Sequence, residues 1–506
     1  MIIQPVWQMS LDFLGSTPVI IEPSADQVSS DAGLLPIRQL DEQLGLTRQF
    51  AEALTDGRNA SYVGHSFLEM TRARIYGILA DYADQNAHDV LRSDPIFKLI
   101  CGRSITGDDL ASQPTLSRFE NAIEPKSFFA LQDVFLDQFI ASFAEPPKFL
   151  TLDIDPFDDP THGQQQLSFY HGYYEQHQYL PRVITCAEND LVVTVCLLHG
   201  TAHATLGAQD DLAYVVGRLR KAWPDVRIHL RGDSGFGTPT MYEACEGLNI
   251  DYTLGIGMNA RLKKESDSLL ENAVAEWEKT SQPQRLFTAF WYQAQSWPSE
   301  RWVVVKCEAH AEGTNRRAVI TNRPGAFVLP GAAYDAYADR GESENRNKEL
   351  KRGLQADRLS DHRYFANLFR LYMHAAALNL LIYLRHFTAD PPPAAVAQEV
   401  IPTEAPDGRS EISSVATPVV AQEVIPTEAL GGRERKRWHN RRREHDPLGE
   451  GQPCTWRTRF IKVAARVRQS ARRVVVELSS SWPYLEQYRK VVQRLLERRL
   501  PTADSG

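Results

Sequence analysis

The chain has 506 residues, a net charge of −8, 24% charged residues and six cysteines. That length allows roughly two to four domains. No apolar run approaches the roughly 20 residues needed to cross a bilayer, and the N-terminal Met-Ile-Ile-Gln-Pro-Val-Trp lacks the pattern of a secretory signal. The cysteines (101, 186, 196, 245, 307, 454) are scattered without a C-x-x-C pair, so a zinc site is not indicated and a reduced, cytoplasmic setting is expected. From Gly431 to Leu500 there are 19 Lys and Arg against 7 Asp and Glu. The acidic total therefore hides a basic tail, which suits local phosphate contact; a solvated tail is the plainer alternative.

In chain order, residues 1–34 read as an irregular segment. Residues 35–145 carry helical periodicity, strongest in Phe67–Ala80. Thr115 or Pro114 is placed to begin another helix, with Glu120 supporting its first turns. A region of alternating strands and helices follows over 146–257. Strand-like runs occupy Phe149–Asp155, Leu180–Cys186, Leu191–Leu198, Val226–Arg231 and Asp251–Ile256; helices are predicted at Asp210–Trp223 and Pro239–Gly247. Three strands, a helix, an acid-bearing strand, then helix and strand describe a mixed sheet flanked by helices, which brings distant carboxylates to one edge.

Two of those strands end in carboxylates: Lys148-Phe-Leu-Thr-Leu-Asp-Ile-Asp155, and Val226-Arg-Ile-His-Leu-Arg-Gly-Asp233. A third acid lies on a patterned helix, Tyr337-Ala-Asp-Arg340-Gly-Glu-Ser-Glu344, continuing to Lys351. At about 100° per residue, Tyr337, Arg340, Glu344 and Lys351 share a stripe roughly 60° wide, which selects Glu344 over Glu342 and Glu349. Carboxylates converging from strand ends and a helix make a hard-oxygen site of the kind Mg²⁺ prefers. Two such ions stabilise both the attacking and the leaving oxygen of an in-line phosphoryl transfer.

The interval between Asp233 and Glu344 is far longer than an ordinary loop and holds β-like segments at Leu286–Ala294, Arg301–Glu308 and Arg317–Thr321. Residues 258–330 therefore read as a β-rich insertion, with 331–388 returning to the core. Of its indoles, Trp297, beside Pro298 at a predicted turn, is the best exposed candidate to stack on a displaced base; hairpin core packing is the alternative for each. Residues 389–432 form a Pro/Ala/Glu-rich linker in which Val396–Ala405 recurs at Val420–Ala429. Over 433–506 the chain is basic, opening with a run that ends in Arg441, Arg442 and Arg443.

These segments together resemble bacterial insertion-sequence transposases of the DDE class, and within them the IS1380 group of the IS4-like set. The resemblance rests on Leu152-Asp-Ile-Asp-Pro-Phe-Asp-Asp-Pro-Thr-His-Gly163, on Arg231-Gly-Asp-Ser-Gly-Phe236, on the Y-x2-R-x3-E-x6-K spacing from Tyr337 to Lys351, on Leu110–Asn121 and on the Arg466–Pro483 stretch. It implies an RNase H-like core with a mixed five-stranded sheet, an N-terminal helical DNA-binding domain and a β-rich insertion. It also implies Asp155, Asp233 and Glu344 as catalytic ligands of two Mg²⁺ ions, for which Mn²⁺ can substitute. Tyr337, Arg340 and Lys351 would then hold DNA phosphates. The implied partners are terminal inverted repeats, target DNA and a second copy in a synaptic dimer, with hairpin ends as the route. Asp153 shares the strand face of Asp155 and is the alternative first ligand, and Asp155-Pro-Phe157 stands where the family shows D-x-T. Two other classes stay open, a catalytically silent DNA-binding regulator and a metal-dependent nuclease.

Overall fold

A computed structural model describes residues 8–11, 19–24, 26–327, 329–389 and 452–497. The linker repeat and Arg441, Arg442 and Arg443 lie outside the described residues.

Three short strands come first, β1 (Met9–Leu11), β2 (Val19–Ile21) and β3 (Val28–Ser29). Helices follow: α1 (Leu34–Leu44), α2 (Leu46–Glu52), α3 (Phe67–Leu79), α4 (His88–Leu91), α5 (Pro95–Ile100), α6 (Gln113–Asn121) and α7 (Ser127–Ala141). The α3 helix starts where Ser66 caps the Glu69 amide, which satisfies one of the donors a helix start leaves unpaired. Glu120 does not support the first turns of α6. It lies in the last turn, buried between Arg74 Nε at 2.6 Å and Arg370 Nε at 2.5 Å.

The central region is one sheet of ten strands. Its strands are β4 (Phe149–Pro156), β5 (Asp159–Pro160), β6 (Phe169–His171), β7 (Gln176–Cys186), β8 (Val192–Leu198), β9 (Arg227–Gly232), β10 (Asp251–Ile256), β11 (Gln284–Tyr292), β12 (Arg301–His310) and β13 (Gly313–Thr321). Five of them lie in the order β8-β7-β4-β9-β10, with β8, β7 and β4 antiparallel and β4, β9 and β10 parallel. The parallel steps pass through α8 (Ala208–Ala222) and α9 (Pro239–Gly247), since a parallel pair needs a crossover. Strands β4, β8 and β9 are buried on both faces; β8 is almost wholly apolar, whereas in β4 and β9 apolar residues alternate with buried polar ones (Thr151, Asp153 and Asp155; His229 and Arg231).

The 258–330 segment contributes α10 (Ala260–Glu265), α11 (Asp267–Thr280) and β11–β13. Its strands do not form a sheet of their own: β13 pairs antiparallel with β10, so the insertion extends the central sheet along its edge. Next come α12 (Pro330–Ala338), α13 (Gly341–Lys348) and α14 (Tyr364–Thr388). By length and composition α14 is long and apolar enough to cross a membrane, but 89% of its apolar window is buried inside the protein. It joins the helical layer to the sheet: Phe369 packs against Phe50 and Phe119, Tyr372 against Phe128 and Phe135, and Asn379 exchanges hydrogen bonds of 2.9 Å with the Val192 backbone of β8. At the C-terminal end, α15 (Pro453–Trp456), β14 (Ala465–Ser470), β15 (Arg473–Leu478) and α16 (Leu485–Glu497) return to the N-terminal side of the molecule. There β14 pairs with β3, Lys462 reaches Asp31, and Phe460 stacks on Tyr488.

Candidate active site

Thr151, Asp153 and Asp155 share one face of β4 because side chains alternate along a strand, and all three are buried. The parallel register sets Ile154 opposite Gly232, so Asp155 and Asp233 leave adjacent strand ends side by side. The Asp233 carboxylate Oδ1 accepts the Gly235 N–H at 2.8 Å, which pins the loop after β9. That loop lies directly on β10: a Cβ on Gly237 would sit 2.2 Å from the Gly255 carbonyl oxygen. Gly237→Ala is therefore expected to displace the Asp233 loop and depress activity, with circular dichroism and a thermal melt separating local displacement from unfolding.

Asp155 accepts from Arg340 Nη1 at 2.7 Å and from the Ser343 hydroxyl. Burial, aided by Asp233 and Asp153, pushes its carboxyl up to about 7 against the lowering pull of Arg340 and Ser343. The Arg340 guanidinium carries most of the compensating charge. Burial acts against its charged form, yet Asp155, Tyr337 and Asp233 together raise its pKa. Its Cζ lies 5.7 Å from the centre of the Tyr337 ring. The Tyr337 hydroxyl is held above its usual range by burial, opposed by Arg340 and reinforced by Asp233 and Asp155. Gly255 makes room for it, since a Cβ there would lie 3.0 Å from Tyr337 Oη. Asp155, Asp233, Tyr337 and Arg340 thus form one electrostatic cluster.

Asp153, the alternative ligand, is otherwise engaged. Arg231 Nε and Nη2 grip its two oxygens at 2.6 and 2.8 Å, and Arg346 Nη1 adds a contact at 2.9 Å. Arg231 also donates to the Ala336 carbonyl, and Arg346 to Asp190. The carboxylate is a buried ion-pair centre that ties β4, β9, α12 and α13 together.

The patterned helix departs from a single stripe. It is interrupted at Asp339–Arg340 between α12 and α13, and Glu349–Gly353 forms a wider π-helical turn. The face turned to β4 is Arg340, Ser343 and Arg346, at spacings of three. Glu344 sits on the rim, its side chain 55% exposed and its Oε1 3.9 Å from Arg340 Nη2. Lys351, carried round by the π-turn, pairs with Asp158 instead of reaching Asp155. Burial pushes Asp158 up, but the Lys351 and Gln176 contacts outweigh it and hold the carboxyl below its ordinary range. Among the described residues no group of three or more His, Cys, Asp or Glu is gathered closely enough to hold a metal ion. Asp155 and Asp233 come together; Glu344 is separated from them by Arg340.

Trp297 is a correction. The expected exposed turn residue is only 8% exposed, packed edge-on against Tyr242 and Tyr292 with Arg301 over its ring. Proline at the turn marked the chain reversal but not the aromatic pocket that receives the indole. The exposed indole of this region is Trp291, at 43%. Sequence reasoning also missed Arg231, Ser343 and Arg346. Their signal was present, as a residue adjacent to the Gly232-Asp233 strand end and an i, i+3, i+6 series from Arg340.

Two hard-oxygen carboxylates at adjacent strand ends, covered by an arginine able to grip a phosphate, define a site suited to phosphate chemistry. A family model described as transposase DDE domain group 1 matches residues 13–399, and the chain belongs to that family. It is thus a DDE transposase, of a class that cuts and transfers DNA and generally uses divalent metal ions. None of the curated proteins matches it.

Proposed function

We propose that this transposase moves an insertion sequence of the IS1380 group by cutting and joining DNA at Asp155, Asp233 and Glu344. The observation that carries the proposal is the pairing of Asp155 with Asp233 at neighbouring strand ends under Arg340. The order β8-β7-β4-β9-β10 supports an RNase H-like core within the larger sheet. The functional division is the one expected from sequence: helices in 35–145 for the terminal inverted repeats, 146–257 and 331–388 for chemistry, 258–330 as an insertion, and a basic end for phosphates. A synaptic dimer on two DNA ends and a nucleoid-associated cytoplasmic location belong to the same proposal.

The donor set fits a divalent cation. Both acids offer oxygen, and Asp155 is a buried carboxylate whose charge Arg340 only partly offsets. Asp155 and Asp233 would hold Mg²⁺ or Mn²⁺, with Glu344 completing the set. Two such ions, when bound, activate water or a 3′-hydroxyl and stabilise the leaving oxygen. Arg340, now paired with Asp155, would offset the acids and could turn to grip a scissile phosphate bidentately. Tyr337 braces the guanidinium from below. Lys351, tied to Asp158 at the edge of the site, supplies a point charge for a phosphate further along the strand. Together these groups would hold a hairpin end.

Metal binding has to displace the proton that Asp155 carries below about pH 7. Mn²⁺ affinity measured by calorimetry is therefore expected to rise through the range below 7, by about tenfold per unit if one proton is released, and to level off above it. An affinity independent of pH between 5 and 8 would contradict the Asp155 assignment.

The functional test incubates the protein with Mg²⁺ and a labelled fragment bearing the element's own ends, alongside Glu344→Gln. End-specific nicking or hairpin formation lost in the variant supports the proposal. Binding without cutting favours the silent regulator, and cutting that ignores the end sequence favours the nuclease.

A further inference from the structure

The hairpin joining β6 to β7 carries an unusual load of exposed aromatic surface. Phe169, Tyr170 and Tyr173 are 43%, 53% and 83% exposed. The register pairs Tyr170 with His177 and His171 with Gln176, leaving the two tyrosines Tyr173 and Tyr174 at the tip. The tip rings support one another edge-on at 5.0 Å, and Tyr170 is propped against His177 at 5.6 Å.

Its position gives it one. Gln176, at the base of the hairpin, donates to Asp158 at 3.3 Å, and Asp158 pairs with Lys351 three residues beyond Asp155. The Tyr174 hydroxyl lies within the electrostatic reach of both Asp158 and Asp233. The hairpin is thus continuous with the acidic cluster. A cluster of exposed rings marks an interaction surface, and aromatic faces beside a phosphate-handling site suit unstacked bases. Within the insertion Trp297 is buried, and the exposed Trp291 has its ring packed against Trp302 and Phe327.

We propose that the Phe169–His177 hairpin is a stacking platform for unpaired bases of a DNA strand entering the Asp155–Asp233 site, with Tyr170 and Tyr173 as its principal rings. This rests on the transposase reading of that site. The test is binding of the full chain, in EDTA, to a single strand of about twelve nucleotides carrying 2-aminopurine. Wild type is expected to bind and quench the probe. Tyr170→Ala/Tyr173→Ala is expected to weaken binding by roughly tenfold, as for loss of one stacked base, and to abolish quenching. Tyr170→Phe/Tyr173→Phe keeps the rings and is expected to behave as wild type. Failure of wild type to bind, unchanged quenching in the alanine variant, or equal losses in the phenylalanine variant would each overturn the platform. These side chains are exposed, so the alanine variant keeps its core. Because the assay involves neither metal nor cutting, its outcome is independent of the end-cleavage test above.

Discussion

Asp155→Asn is expected to reduce Mg²⁺-dependent cutting of DNA ends by at least about 10³-fold, since losing a metal ligand removes several kcal/mol of charge stabilisation. Asparagine keeps the shape of the side chain, an oxygen for Arg340 and a partner for Ser343, while relieving the burial of a charge. The folded state is therefore expected to survive: the urea midpoint of the variant in EDTA should not fall below that of wild type. Binding of uncut DNA should also persist, because Arg340 remains. Loss of folding together with activity would show that Asp155 is structural. Retained cutting would remove it from the site.

Asp153→Ala should give the opposite pattern. Removing this carboxylate strands two buried guanidiniums, Arg231 and Arg346, which it now joins. Breaking a buried ion pair from one side costs about 3–5 kcal/mol, a large part of the stability of an ordinary domain. The urea midpoint should drop sharply, with or without metal. A double change that also replaces Arg231 and Arg346 by apolar residues should recover part of the loss, because it leaves fewer unpaired charges. If Asp153→Ala folds normally yet loses metal binding, the roles of the two aspartates are reversed.

Much of the geometry of the candidate site was legible in the residues, because it depends on local rules. The apolar runs ending at Asp155 and Asp233 are strands in the structure, and the period-two alternation put Asp153 and Asp155 on one face. What distinguishes the surroundings of those two acids is not local. Arg231 lies on a neighbouring strand and Arg346 on a helix nearly 200 residues later, and only the tertiary pairing delivers both to Asp153. The helical stripe failed for a related reason. An ideal 3.6-residue period carries Lys351 round to Tyr337, but the break at Asp339–Arg340 and the π-turn at Glu349–Gly353 alter the phase. Ser343 and Arg346 gain the inward face, and Glu344 is left on the rim. The insertion shows the same limit: its strands could be read from β-rich runs, but their pairing to β10 could not, since edge pairing is a long-range choice. Trp297 was misjudged because a proline turn says where the chain reverses, not what closes over it.

If Asp155, Asp233 and Glu344 together hold the catalytic metal, a crystal of the protein with a short DNA end, soaked in Mn²⁺, will show it. Anomalous scattering peaks are expected to be coordinated by Asp155 and Asp233, with Glu344 turned inward onto the ions and Arg340 shifted onto a DNA phosphate. Peaks ligated by Asp153, or ions bound by the two aspartates with Glu344 still on the rim, would contradict it.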